Sequence, residues 1–304
     1  MQIEHRATHN LRSIQQRVKF LSSLIYDPKF YRIINTVISD PSKLDCTLGT
    51  LCYFTLLVGA VLNRYPQWKV VLQKLWSRML SLRHKLLSKV WGKTQPKPSS
   101  EPLKTPEAET EKVCKYEESQ KSMAEGLERM EKILKQFSGY ITDIRIFNRG
   151  FSIPSCIADV LEAGSLLQKK DYLGFVSTWC ISLYQPLETI AFLFDHNWLL
   201  PGREGNNCNW WYAISTRFWF AWVVAEFSQL TYKLLITKRG KNVDKEELIA
   251  FIEHLATLPL CVHWSLEDGC LDDLKVGLLG TIAGGLSTFD IWRGTWGTIL
   301  KECR

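Results

Sequence analysis

Apolar residues recur at helical spacing along most of this chain of 304 residues, and the signals typical of strands are scarce. Alternation of apolar and polar residues never lasts long, and no two alternating runs are joined by an Asn-Gly or Asp-Gly hairpin turn. The pattern therefore predicts an all-α fold. The candidate helices cover residues 9–24, 28–39, 43–62, 66–91, 116–137, 154–168, 171–196, 209–238, 243–256 and 270–290.

Four stretches are nearly free of charge: Cys46–Asn63, Tyr172–Phe194, Asn209–Ala225 and Val276–Phe289. A helix that crosses a bilayer needs about 20 apolar residues. The first two stretches approach that length, and Pro186 and Glu188 interrupt the second. We expect a membrane-associated bundle of short, half-embedded or mutually packed helices. The alternative is a soluble protein whose core helices are apolar all round.

The helix predicted over Trp68–Trp91 is amphipathic and purely basic, with six Lys or Arg residues and no acid. Its apolar face collects the residues predicted to insert into a membrane, which are Trp68, Leu72, Leu75, Trp76, Met79, Leu82, Leu86 and Val90. The cations predicted to hold lipid phosphates lie on the opposite face and are Lys74, Arg78, Lys85 and Lys89. Since like charges stand three or four residues apart with no acidic residue near them in the sequence, an anionic lipid surface is the partner that this helix favours.

Three other partners remain open for this helix. It can pack on acidic helices of its own fold, it can be the target of a calmodulin-type protein, or it can bind nucleic acid. The apolar stretch Cys46–Asn63 directly before it argues against a nucleic-acid domain.

Charge and proline divide the chain into three parts. The net charge is +7, and no acid occurs between Asp45 and Glu101. Residues 92–122 are polar and contain four of the eleven prolines, so they predict a disordered tether. We therefore expect an N-terminal helical unit over 1–91 and a C-terminal membrane-associated unit over 123–304. The nine cysteines form no CxxC pair, which favours reduced thiols in a protein facing the cytosol.

Motifs of catalysis are absent from the sequence: it has no P-loop, GxGxxG, GxSxG or HExxH. The spacing of His254, Cys261, His263 and Cys270 fits no usual zinc pattern. Asp195 and His196 are adjacent, and adjacent side chains on a helix do not face each other. We expect no enzyme activity, no cofactor and no metal.

Glycines crowd the C-terminal segment VGLLGTIAGGLSTF, where Gly280 and Gly284 have GxxxG spacing. Each glycine costs a helix about 1 kcal/mol relative to alanine, so a close partner or a tight bend must require them. We predict that Gly277, Gly280 and Gly284 serve helix packing within the chain or self-association.

Several segments, in order, carry a family resemblance over most of the chain. They are DCTLGTLCYFTLL with Asp45, Leu48 and Tyr53; the basic helix; TDIRIFNRGFSI with Arg145 and Arg149; YQPLETIAFLFDHNWLL with Tyr184, Asp195, His196 and Leu199; STRFWFAWVVAEFSQLTYKL; and VGLLGTIAGGLSTFDIW with Gly277, Gly280, Thr281, Gly284 and Trp292. Together they resemble the peroxin-eleven family of peroxisomal membrane proteins. The long polar tether, and Leu51 and Cys52 before Tyr53, depart from the family pattern and indicate a divergent branch.

The resemblance implies a protein of peroxisome biogenesis and organisation. It implies a location in the peroxisomal membrane, self-association, contact with the fission machinery, and a role in peroxisome elongation, proliferation and fission. Membrane curvature produced by the amphipathic helix is the expected mechanism. Two alternatives are a pore for small metabolites and a scaffold that does not remodel the membrane.

Overall fold

The computed structural model describes residues 22–90, 106–199, 208–237 and 242–303, and it describes no side chain at 66–77, 79–90 or 106–120. Within these ranges the chain is helical and contains no β-strand, so the all-α prediction is confirmed. The helices are α1 (Pro28–Ile38), α2 (Pro41–Val90), α3 (Pro106–Gly150), α4 (Ile153–Glu162), α5 (Gly164–Gln168), α6 (Tyr172–Asp195), α7 (Cys208–Tyr232), α8 (Lys245–Trp264) and α9 (Asp273–Glu302). A π-helical turn, Lys233–Thr237, continues α7.

Aspartates begin several of these helices by capping free backbone N–H groups. The Asp27 carboxylate accepts from Lys29 N at 2.9 Å, and Asp171 accepts from Gly174 N at 2.9 Å. Asp272 accepts from Lys275 N at 3.0 Å, and Asp244 forms a capping box with Glu247. An N-cap of this kind stabilises a helix by about 1 kcal/mol. The starts of α1, α6, α8 and α9 are therefore set by local sequence.

Six long helices pack in a closed circuit: α2 on α3, α3 on α6, α6 on α7, α7 on α8, α8 on α9, and α9 back on α2. The short helix α1 packs against α9 and α2, and the short helices α4 and α5 pack against α6. The N-terminal helix α2 thus lies between α3 and α9, which belong to the predicted C-terminal unit. Helices of both predicted units share interfaces in one bundle, because the apolar half of α2 needs partners along its length.

The helix α2 is a single element of 50 residues that runs through Pro66, where the sequence predicts separate helices over 43–62 and 66–91. Helix α3 begins at Pro106, so residues 106–122 of the predicted tether are helical, and residues 92–105 lie outside the described residues. Glu111 with Lys115 and Glu117 with Lys121 stand four residues apart, an arrangement that supports a helix. Composition alone does not distinguish a disordered tether from a solvated helix, since both are polar.

Two of the described helical segments are long and apolar enough to cross a membrane: Pro41–Tyr65 of α2 and Asp273–Glu302 of α9. A third span results if Lys121–Gly150 and Ile153–Gln168, which meet at a 50° bend, form one broken span. Only 22% and 17% of the most apolar windows of the first two segments are buried. Much of their apolar surface therefore faces outward.

Candidate membrane-binding site

The predicted membrane-binding residues belong to the second half of α2. The backbone of residues 66–90 is helical and continues the first half without a break. The side chains of Trp68, Leu72, Lys74, Leu75, Trp76, Met79, Leu82, Lys85, Leu86, Lys89 and Val90 lie outside the described residues. Arg78 is described and is exposed. At 1.5 Å per residue this half is about 37 Å long. What the structure adds is how the first half is held.

Ion pairs fix the start of α2 to two other helices. Arg145 on α3 donates from Nε to Asp45 Oδ1 at 3.0 Å, and Arg149 donates from its guanidinium to Asp45 Oδ2 at 3.2 Å. Arg149 also donates to Glu188 Oε2 on α6 at 2.9 Å. The two arginines and two carboxylates carry no net charge together. We call these four residues with Tyr184 the α2–α3–α6 ion cluster.

Tyr184 completes the cluster from α6. Its hydroxyl accepts from Arg149 at 2.6 Å and donates to Glu188 Oε1 at 2.7 Å. The Arg149 guanidinium lies 5.8 Å from the Tyr184 ring centroid, and Trp219 of α7 stacks on that ring at 5.9 Å. Burial raises the pKa of the Tyr184 phenol well above its ordinary value, so the hydroxyl keeps the proton that it donates.

Tyr184→Phe is expected to lower the free energy of unfolding by about 1–2 kcal/mol, since it removes hydrogen bonds to two charged groups but leaves Arg149 paired with Glu188. Thermal or denaturant unfolding of the protein in detergent measures this change. Tyr172→Phe is the matched control, because Tyr172 lies on the same helix and is 65% exposed. Equal effects of the two substitutions would contradict a stabilising role for the Tyr184 hydroxyl.

The three predicted packing glycines all lie against α2. A Cβ atom at Gly277 would stand 2.6 Å from Leu57 N, and one at Gly284 would stand 2.8 Å from Thr50 Oγ1. At Gly280 it would overlap the root of the Tyr53 ring. These glycines therefore serve the approach of α9 to α2 within the chain.

Polar contacts extend this α2–α9 interface toward both ends. Thr50 and Thr288 share a hydrogen bond of 2.8 Å, and the Trp292 indole donates to Thr47 Oγ1 at 3.3 Å. At the other end Arg64 pairs with Asp272, just before α9 begins, at 2.7 Å. On the α3 side, Asn63 donates to Glu131 at 3.0 Å. Residues 41–64 of α2 are thus held on both sides, and the basic half follows directly.

The other candidate residues from the sequence make contacts with neighbouring parts of the fold. Asp195 ends α6, and His196 lies against Phe192 with its Nε2 atom 3.9 Å from Asp143. His263 Nδ1 accepts from the backbone N–H groups of Cys270 at 2.8 Å and Leu271 at 3.0 Å. Burial lowers the pKa of His263, which agrees with a neutral acceptor. In the described part of the chain, no three His, Cys, Asp or Glu residues are grouped to hold a metal ion.

The pairing within the ion cluster was missed at the level of sequence, although a signal existed. Glu188 is the only charge in Tyr172–Phe194, and Asp45 directly precedes the uncharged Cys46–Asn63. A buried or half-buried charge is tolerated in a fold when a counter-ion meets it. Arg145 and Arg149, four residues apart in an apolar part of α3, are the cations that this reasoning could have assigned to both acids.

Comparisons with known proteins add one distant similarity. No family model matches the chain, and no solved structure matches it. An uncharacterized protein of Schizosaccharomyces pombe is 32% identical over 107 residues, which are 34% of this chain. The chain spans about half of that protein's length, 51%. The similarity assigns no activity.

Proposed function

We propose that this chain is a peroxisomal membrane protein that binds and curves the membrane through the basic half of α2, and so drives peroxisome elongation, proliferation and fission. One observation carries the proposal. A helix whose first half is held by ion pairs and by close glycine contacts continues without a break into residues 66–90, which contain six cations and no acid. The proposed location in the peroxisomal membrane rests on the resemblance to the peroxin-eleven family.

The proposed mechanism divides the basic half between its two faces. Trp68, Leu72, Leu75, Trp76, Met79, Leu82, Leu86 and Val90 enter one leaflet, and Lys74, Arg78, Lys85 and Lys89 bind lipid phosphates. Each cation near an anionic leaflet contributes about 1 kcal/mol, and buried apolar area adds to it. A shallow insertion expands one leaflet relative to the other, and that imbalance bends the membrane.

Pro66 is the proposed bend between the two halves. If Pro41–Tyr65 crosses the bilayer, the basic half must turn to lie in the plane of the membrane. A proline inside a helix removes the hydrogen bond to the carbonyl four residues earlier, here that of Leu62. The junction is therefore where α2 bends at least cost, and it follows directly after the last contacts that hold the first half.

The outer face of α9 supports a lipid surrounding for the bundle. Its exposed apolar residues Leu278, Ile282, Leu286 and Phe289 recur every three or four positions, on the side away from the packing glycines, and Trp296 follows seven positions later. Monomeric soluble proteins rarely expose contiguous apolar patches larger than a few hundred Å². The family resemblance further supports self-association and contact with the fission machinery, and both belong to this proposal.

Leu75→Glu combined with Met79→Glu is expected to abolish peroxisome elongation while leaving targeting intact, because two carboxylates on the apolar face prevent insertion. Organelle length in cells that express the variant measures this. The matched control is Ser77→Glu with Ser81→Glu, which adds the same charge on the polar face and should weaken elongation only in part. Elongation that persists in the first variant would make the helix a structural element.

Solute flux through vesicles that contain the purified protein separates curvature from the pore alternative. The proposal predicts no size-selective leakage at protein densities that deform the vesicles. A leak that passes small metabolites and excludes larger ones, without deformation, would favour the pore.

A further inference from the structure

Helix α3 carries an exposed row of large apolar side chains. Its members are Met123, Met130, Ile133, Phe137, Tyr140 and Phe147, and their exposed fractions run from 40% to 65%. Their spacing follows a heptad, in which positions a are 123, 130, 137 and 144 and positions d are 126, 133, 140 and 147. We call this row the α3 seam. A heptad repeat sustained over four a/d pairs is typical of a helix that pairs with another helix.

Charged residues flank the N-terminal half of the α3 seam, and they argue against contact between this half and lipid. Glu125, Glu128, Arg129 and Lys132 are all exposed within three residues of a seam member. Charged side chains rarely face the hydrocarbon of a bilayer. Alternating charges beside an apolar row are instead typical of the surface of a coiled coil. The cover that fits is another amphipathic helix.

Charge complementarity selects a second copy of this chain in antiparallel orientation. The g positions beside the seam are Arg129, Gln136 and Asp143, so a two-fold axis near Gln136 brings Arg129 of each copy to Asp143 of the other. The Asp143 side chain is 47% exposed, with His196 Nε2 at 3.9 Å. In a two-fold interface each copy makes the same contacts, so both Arg129–Asp143 pairs form.

A parallel pair lacks this complementarity. In parallel coiled coils, g positions meet e positions of the partner, and the e positions of α3 are Leu127, Leu134 and Ile141. Ile141 is 3% exposed, and Leu134 lies against Gly59 of α2. These residues are engaged within the bundle and carry no charge. The antiparallel layers join Phe137 with Ile133, Met130 with Tyr140, and Met123 with Phe147, and they place the small Gly126 opposite Ile144.

We propose that two copies of this chain associate through the α3 seam as an antiparallel two-stranded coiled coil. The inference deepens the proposed function by naming the surface of self-association, and it rests on that function only for its membrane setting. The pairing itself is measured in detergent, so its failure is distinguishable from a failure of membrane curvature.

Light scattering of the purified full-length chain in neutral detergent tests the pairing. The wild type is expected to be a dimer, and Ile133→Glu with Phe137→Glu is expected to be a monomer. Arg129→Asp alone and Asp143→Arg alone should each raise the dimer dissociation constant roughly tenfold, because like charges then meet twice in each dimer. The double variant Arg129→Asp with Asp143→Arg should restore the wild-type value. Circular dichroism and thermal unfolding show that each variant is folded.

The control is Ile25→Glu with Leu235→Glu, two apolar residues that are 57% and 66% exposed outside the seam. It should leave the dimer unchanged. A monomeric wild type, or a dimer that survives Ile133→Glu with Phe137→Glu, would overturn the proposal. Failure of the double charge variant to recover the wild-type dissociation constant would exclude the antiparallel register.

Discussion

Replacing Arg149 with methionine is expected to lower the free energy of unfolding by about 3 kcal/mol or more. Arg149 joins three helices, because its guanidinium binds Asp45 of α2 and Glu188 of α6 from its place on α3. Its side chain is 20% exposed and that of Glu188 is 13% exposed. Removal of one partner leaves a largely buried carboxylate without its cation, which costs about 3–5 kcal/mol in other proteins.

Two further variants make this expectation specific. Lys135→Met removes an ion pair with Asp273 whose side chains are 60% and 46% exposed, so it should cost less than about 1 kcal/mol. Glu188→Gln in the Arg149→Met background should recover part of the loss, because it removes the unpaired charge. Denaturant unfolding in detergent measures all three proteins. If Arg149→Met and Lys135→Met cost the same, the ion cluster does not hold the helices together.

Gly280→Ala and Gly285→Ala are expected to change stability in opposite directions, although the two residues lie five positions apart on α9. A Cβ atom at Gly280 would overlap the base of the Tyr53 ring, which a rotation about the Cβ–Cγ bond does not move away. The α2–α9 interface must therefore separate, and overpacking of this kind costs about 1–3 kcal/mol. At Gly285 nothing stands within 4 Å of the added carbon.

Alanine at Gly285 should accordingly stabilise α9, by up to about 1 kcal/mol, through its higher helix propensity. The pair controls for that propensity, since both substitutions make the same chemical change in one helix. Thermal unfolding of the two variants beside the wild type measures the difference. A stabilising effect at both positions would show that α9 does not approach α2 through Gly280.

Some of this fold was accessible from the sequence, and the reason differs from element to element. Apolar periodicity identified most helices, because the pattern depends only on the helix itself and on which of its faces is buried. Four glycines in nine residues indicated a close partner for α9, but α2 as that partner depends on the tertiary arrangement. Arg149 lies 104 positions from Asp45 and 39 positions from Glu188, and no local pattern determines such a pairing.

The ends of the helices were harder to predict from the sequence, also for physical reasons. Pro66 predicts a helix start, yet α2 continues through it, since a proline bends or weakens a helix without always ending it. Residues 106–122 are polar enough for a tether and also carry charge pairs at helical spacing. The membrane role of residues 66–90 stays a prediction, because it concerns an interaction with lipid rather than a contact within the chain.

Tryptophan fluorescence of the peptide 66–92 on vesicles tests the central claim most directly. The peptide contains Trp68, Trp76 and Trp91, and lipids brominated at different acyl carbons report how deeply these rings lie. The account predicts helix formation on anionic vesicles, weaker binding as salt rises, and strongest quenching by bromines near the headgroups. A peptide that stays unstructured and unquenched on anionic vesicles at low salt would contradict it.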